Sequence, residues 1–153
     1  MQSKLTLTGA IAALTVIAGC GGSTAGTSPT PAATGTTISV ATNAKLGQIL
    51  VDASGKTIYL FVADTGTSST CYTSCAAIWP PVLTTGAPQA GAGAQASLLG
   101  TTARTDGTTE VTYAGHPLYY FIQDKAAGDA KGQGINGFGG LWWVMSPSGA
   151  AMH

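Results

Sequence analysis

The chain has 153 residues, of which 8% are charged; six Lys and Arg oppose six Asp and Glu, so the net charge is zero with neutral histidines. No basic stripe is present in so sparse a charge pattern, which argues against nucleic acid as a partner. The length leaves room for one modest domain and no more.

Met1 to Lys4 carries one positive side chain, Leu5 to Ile17 is mostly apolar, and the run closes on Ile17-Ala18-Gly19-Cys20. A charged start, an apolar middle and small residues before a boundary make an export signal over residues 1–19. The run is too short and too diluted for a bilayer span, which needs about 20 predominantly apolar residues. The ending I-A-G-C resembles a bacterial lipobox. That resemblance implies a diacylglyceryl group on the Cys20 thiol, and an extracytoplasmic protein anchored to a bacterial membrane by its N-terminal lipid. Residues 20–36 then form a linker without charge or aromatic rings. Such a composition cannot offset chain entropy by burial, and a flexible linker of this length reaches roughly 20–24 Å.

Residues 37–153 are expected to be a mainly β domain. Strands are predicted over Thr37–Ala41, Gln48–Asp52 and Thr57–Ala63. The last is apolar on both faces and so is expected to be buried on both, and the loop Ala53-Ser54-Gly55 makes a hairpin of the second and third. A helical turn is expected around Cys75 to Trp79. Cys71 and Cys75 are close enough on a turn to form a disulfide in an oxidising compartment. Ala87 to Ala96 reads as a surface excursion. Strands follow over Leu99–Arg104, Glu110–Tyr113, Pro117–Gln123 and Leu141–Ser146, with Pro117 confined to a strand start or an edge.

The stretch Lys56–Asp64, KTIYLFVAD, returns as His116–Asp124, HPLYYFIQD. Together with S-x-C-x3-C, W-P-P, G-x-G-x-N-G-F-G-G and a tryptophan-bearing strand, the chain resembles the secreted bacterial lipoprotein repeat with a Y-x4-D motif. Repeat one covers about 46–81 and repeat two about 98–148. The resemblance implies two tandem hairpin-centred repeats packed as one small domain, with long glycine-rich loops, and no known reaction.

Within one copy the tyrosine and aspartate are five strand residues apart, roughly 16 Å, too far for a direct hydrogen bond. One reading makes Asp64 and Asp124 acceptors for backbone amides of the following loops, with Tyr59 and Tyr119 packed inside and their hydroxyls on polar partners. A second draws Tyr59, Trp79, Tyr119, Tyr120, Trp142 and Trp143 into an aromatic cleft for a carbohydrate or small ligand, with both aspartates at its rim. A third gives the C-x3-C pair a copper or redox role, with His116, Met145, Met152 and His153 as further soft ligands. Asp64 and Asp124 could in principle be a glycosidase pair, but no nucleophile elbow or phosphate-cradling loop accompanies them. No catalytic residue, metal or cofactor is therefore nominated; the expected partners are the membrane and a small ligand, glycan or envelope protein.

Overall fold

The computed structural model describes residues 35–153; the signal segment and Cys20 lie outside the described residues. Strands β1 (Thr37–Asn43) and β2 (Gly47–Asp52) form an antiparallel hairpin, and β3 (Tyr59–Phe61) follows. A short helix α1 (Ser74–Ile78) precedes β4 (Gln89–Ala90), a 3-10 turn (Ala96–Leu98), β5 (Leu99–Ala103), β6 (Thr109–Tyr113), β7 (His116–Pro117), β8 (Ile135–Gly137) and β9 (Gly140–Val144). They assemble into three small sheets, ordered β2-β1-β4, β3-β9-β8 and β5-β6-β7. The protein is mainly β, built from two tandem repeats.

Turn chemistry explains the hairpins. Asn43 Oδ1 accepts the amides of Lys45 and Leu46 at the first bend. Asp52 Oδ1 accepts the amides of Ser54 and Lys56 at the second. In the other repeat, Ala114 and Gly115 both adopt positive φ, 50° and 82°, the backbone a two-residue hairpin turn demands.

Several elements differ from the sequence expectation. The predicted strand Thr57–Ala63 contracts to Tyr59–Phe61, because the chain turns where the Asp64 amide donates to Phe61 O, 3.1 Å. Val62 is left 55% exposed. Pro117–Gln123 likewise contracts to His116–Pro117, and Asp124 N donates to Phe121 O, 3.1 Å, in an equivalent turn. The excursion at 87–96 contains β4, paired in parallel with β1, and β8 was not expected. It pairs Ile135–Gly137 with Gly140–Trp142 in a glycine-rich hairpin.

Alternate side chains enter different cores, as a strand apolar on both faces requires. Ile49, Val51, Tyr59 and Phe61 join one cluster with the cysteines, Trp79, Tyr119, Phe121 and Trp142. Leu50, Ile58 and Leu60 join the other with Val82, Val111, Leu118 and Met145.

The two repeats exchange strands. Val82, from repeat one, donates to Leu118 O and accepts from Val111 N, both at 2.8 Å, and so lies between two segments of repeat two. Met145, from repeat two, does the converse: its amide donates to Ile58 O at 3.1 Å and its carbonyl accepts from Leu50 N at 2.9 Å. Where the repeats meet, Tyr59 and Tyr119 exchange both backbone hydrogen bonds, at 2.9 and 3.0 Å. A local pseudo-twofold axis passes between them.

Candidate functional site

Tyr59 and Tyr119 enter the core from the same central pair, and their hydroxyls cross the axis. Tyr59 Oη donates to Asp124 Oδ2, 2.5 Å away, and Tyr119 Oη donates to Asp64 Oδ2, 2.6 Å away. Each motif is therefore completed by the aspartate of the other copy. The second carboxylate oxygen anchors the loop that follows its own strand. Asp64 Oδ1 accepts the Thr70 amide and hydroxyl, both at 2.7 Å, and Asp124 Oδ1 accepts the Lys131 amide at 2.9 Å. Charge-assisted bonds of this kind are stronger than neutral ones. Burial, reinforced by the carboxylate each tyrosine faces, pushes both phenol pKa values up, so both hydroxyls keep their protons. Burial also raises the Asp124 pKa, against the hydrogen bond from Tyr59.

The aromatic side chains do not line an open cleft. Tyr59, Trp79, Tyr119 and Trp142 are at most 1% exposed. Trp79 and Trp142 stack with centroids 4.0 Å apart and planes within 4°. Phe61 continues the stack beyond Trp142 at 4.0 Å and Phe121 beyond Trp79 at 4.3 Å, while the two tyrosines meet the tryptophans edge-on. Stacked and edge-to-face contacts both suit the ring quadrupole. The space a cleft would need is filled because each repeat contributes one tryptophan and one phenylalanine to a single column. Close approach of the backbone completes the seal at Gly132, where a Cβ would stand 2.7 Å from the Trp79 ring and 2.9 Å from that of Tyr59. Tyr120 and Trp143 lie outside the column and are half-buried; Trp143 rests against His153.

Cys71 and Cys75 form a disulfide beside this column, with Cα atoms 5.2 Å apart. Their sulfurs are bonded to each other and both residues are buried. Met145 is buried in the other cluster, and His116 stands in β7. Among the described residues no group of three or more His, Cys, Asp or Glu side chains is placed to hold a metal ion.

A second polar centre was not anticipated from the sequence. Arg104, the chain's sole arginine, is 4% exposed and reaches Glu110 Oε2 at 2.6 Å. It also donates to Ser69 Oγ, 2.8 Å, and Cys71 O, 2.6 Å. Ser69 Oγ lies 2.7 Å from the Tyr119 oxygen, whose own proton goes to Asp64. The chain of contacts thus runs from repeat two through the loop of repeat one and back to Tyr119. Glu110 is fully buried and its Oε1 has no partner. Burial pushes its carboxyl up to about 7, against the pull of Arg104 and with help from Asp64. The available signal was a glutamate inside a strand of β-branched and aromatic residues, Glu110-Val111-Thr112-Tyr113, together with a lone arginine six residues earlier.

Two copies of one hairpin, strands exchanged about a pseudo-dyad and a tyrosine-aspartate pair crossing it define a duplicated β module. The chain belongs to the family described as a secreted repeat of unknown function, whose model matches residues 40–83 and 100–146. The two matched segments correspond to the two exchanged halves. No curated protein and no solved structure matches the chain.

Proposed function

We propose that the protein is a lipid-tethered module displayed outside the cytoplasm, which acts through its outer surface as a structural or binding unit and does no chemistry at the repeated motif. One observation carries this reading. Every polar side-chain atom of the motif tyrosines and aspartates is engaged by an internal partner: each tyrosine by the opposite aspartate, each aspartate by a tyrosine and by the loop behind it. Groups so committed hold the two repeats together and are not free for a substrate. A copper or redox role for the C-x3-C pair would first require reduction of a bond buried beside the aromatic column.

The tether is supported by the I-A-G-C boundary and by the family's secreted character. Two acyl chains on one residue anchor a protein stably where one holds it only marginally. Detergent phase partitioning of the wild type and Cys20→Ala in a bacterial host tests this. The wild type is expected in the detergent phase and the variant in the aqueous phase; equal aqueous partitioning would refute the tether.

A further inference from the structure

The described domain has only five cationic side chains: Lys45, Lys56, Arg104, Lys125 and Lys131. Arg104 is consumed in the core. The four lysines, scattered over almost ninety positions of sequence, converge on one loop, residues 124–133. Gly128 holds that loop down on two hairpin bends: its carbonyl accepts from Asn43 Nδ2 at 2.9 Å, and its amide donates to Gly55 O at 3.0 Å. The first bend carries Lys45 and the second Lys56. The loop itself carries Lys125 and Lys131.

A groove lies on either side. One, about 610 Å³, is lined by Lys45, Lys131 and the loop's Gly128 to Ala130. The other, about 500 Å³, is lined by Lys56, Lys125 and Tyr120, together with the loop's opposite flank. Lys56 Nζ is held 4.9 Å over the Tyr120 ring, whose hydroxyl donates to Asp52. Among the described residues only Lys131 of the four is in an ion pair, with Asp129 at 2.9 Å. Asp52 and Asp124, the other acids near the grooves, are occupied by turn amides and by tyrosine hydroxyls.

We infer that this face binds a linear polyanion, a sugar or polyol chain bearing phosphodiester or carboxylate groups, laid across the loop from one groove to the other. Charge complementarity selects an anion. Two grooves flanking one loop, each lined by two lysines, suit a chain that carries several negative charges along its length. Tyr120 lines the second groove and holds the Lys56 ammonium over its ring, which fixes one of the cations at that end of the face. The inference deepens the proposed binding role and is independent of the lipid tether.

The full chain carrying Cys20→Ala separates the two ideas. It is titrated with a polyuronate, with a polyglycerol phosphate and, in a parallel arm, with phosphatidylglycerol vesicles. Three unpaired lysines predict saturable binding to at least one polymer, with a log–log salt slope near −2, by analogy with counterion release from single strands at about −0.7 per contact. Lys45→Gln, Lys56→Gln and Lys125→Gln together should weaken binding at least tenfold and flatten the slope, with an unchanged melting midpoint. Lys131→Gln should have little effect. No binding to either polymer at low salt, or binding indifferent to the triple variant, overturns the inference. Vesicle binding that exceeds polymer binding and depends on the same lysines also overturns it, assigning the face to lipid headgroups.

Discussion

Truncating Asp124 to alanine removes the one acceptor of a buried phenol and, with it, the anchor of a loop. The Tyr59 hydroxyl loses its acceptor, and the Lys131 amide loses its partner across the loop. Each stranded donor costs about 1–3 kcal/mol. Some of this is offset, because burial already raises the Asp124 pKa and the desolvation of the carboxylate is recovered when it leaves. A net loss of about 2–4 kcal/mol follows, equivalent to a fall in midpoint on the order of 10 °C for a domain of this size. Asp64→Ala should cost a similar amount: it strands the Thr70 amide and hydroxyl, while the Tyr119 hydroxyl turns to Ser69 Oγ, 2.7 Å away. The decisive measurement is a pair of double-mutant cycles by denaturant unfolding. Tyr59→Phe should couple to Asp124→Ala by about 1–3 kcal/mol and to Asp64→Ala by almost nothing, although Asp64 belongs to its own motif. Single variants within about 0.5 kcal/mol of wild type, or coupling confined to one repeat, would refute the crossed pairing.

Other outcomes follow from the same contacts. Glu110 has its folded pKa raised from an ordinary 4.5 to about 7, so its contribution is fully present below about pH 4.5 and is lost as pH rises through 7. At 1.36 kcal/mol per pKa unit this is at most about 3 kcal/mol; unfolding titrations of Glu110→Gln should show a flatter pH profile over that window. Arg104→Met leaves Glu110 buried without its counter-charge and should cost about 3–5 kcal/mol, while Arg104→Met with Glu110→Leu should recover most of it. Gly132→Ala forces a methyl against Trp79 and Tyr59 and should destabilise by about 1–3 kcal/mol, read as a lowered midpoint with unchanged far-ultraviolet dichroism. Opening the Cys71–Cys75 disulfide removes a small loop constraint, about 2 kcal/mol in the chain-entropy model, and should increase amide exchange first at Ser69 and Thr70.

Much of the fold was legible because it rests on local signals. The apolar alternation of Ile58 to Phe61 announces a strand buried on both sides, and Gly55 and Gly115 mark where each hairpin turns. Element ends were less legible: nothing local says that Val62 and Ile122 leave the core, since that is decided by the Asp64 and Asp124 turns. The sequence excluded a tyrosine-aspartate bond within one motif, but not which partner each would find, because that depends on strand exchange between segments sixty residues apart. Burial of the aromatic rings was hidden for the same reason. Each repeat alone supplies half of the Phe61, Trp142, Trp79 and Phe121 stack, and half a stack reads as an open shelf. The lysines were the least legible, because their meeting around Gly128 requires two separate hairpin bends to close on one loop.

Strand exchange about the pseudo-dyad also sets a rule of parity. A solitary repeat would own a tyrosine with no aspartate in reach, a tryptophan with one bare face and a strand slot with nothing to fill it. Its remedy would be a second copy of itself, joined through a self-complementary surface of the kind that twofold dimers use. Tandem duplication replaces that encounter between molecules with a tether, the sixteen residues between the matched segments 40–83 and 100–146, raising the effective concentration of the missing half. A chain of this type is therefore satisfied by an even number of repeats, and one with an odd number would present an unfilled slot able to recruit its own kind. The halves 35–86 and 87–153, produced separately and mixed, should accordingly recover the melting transition of the intact chain.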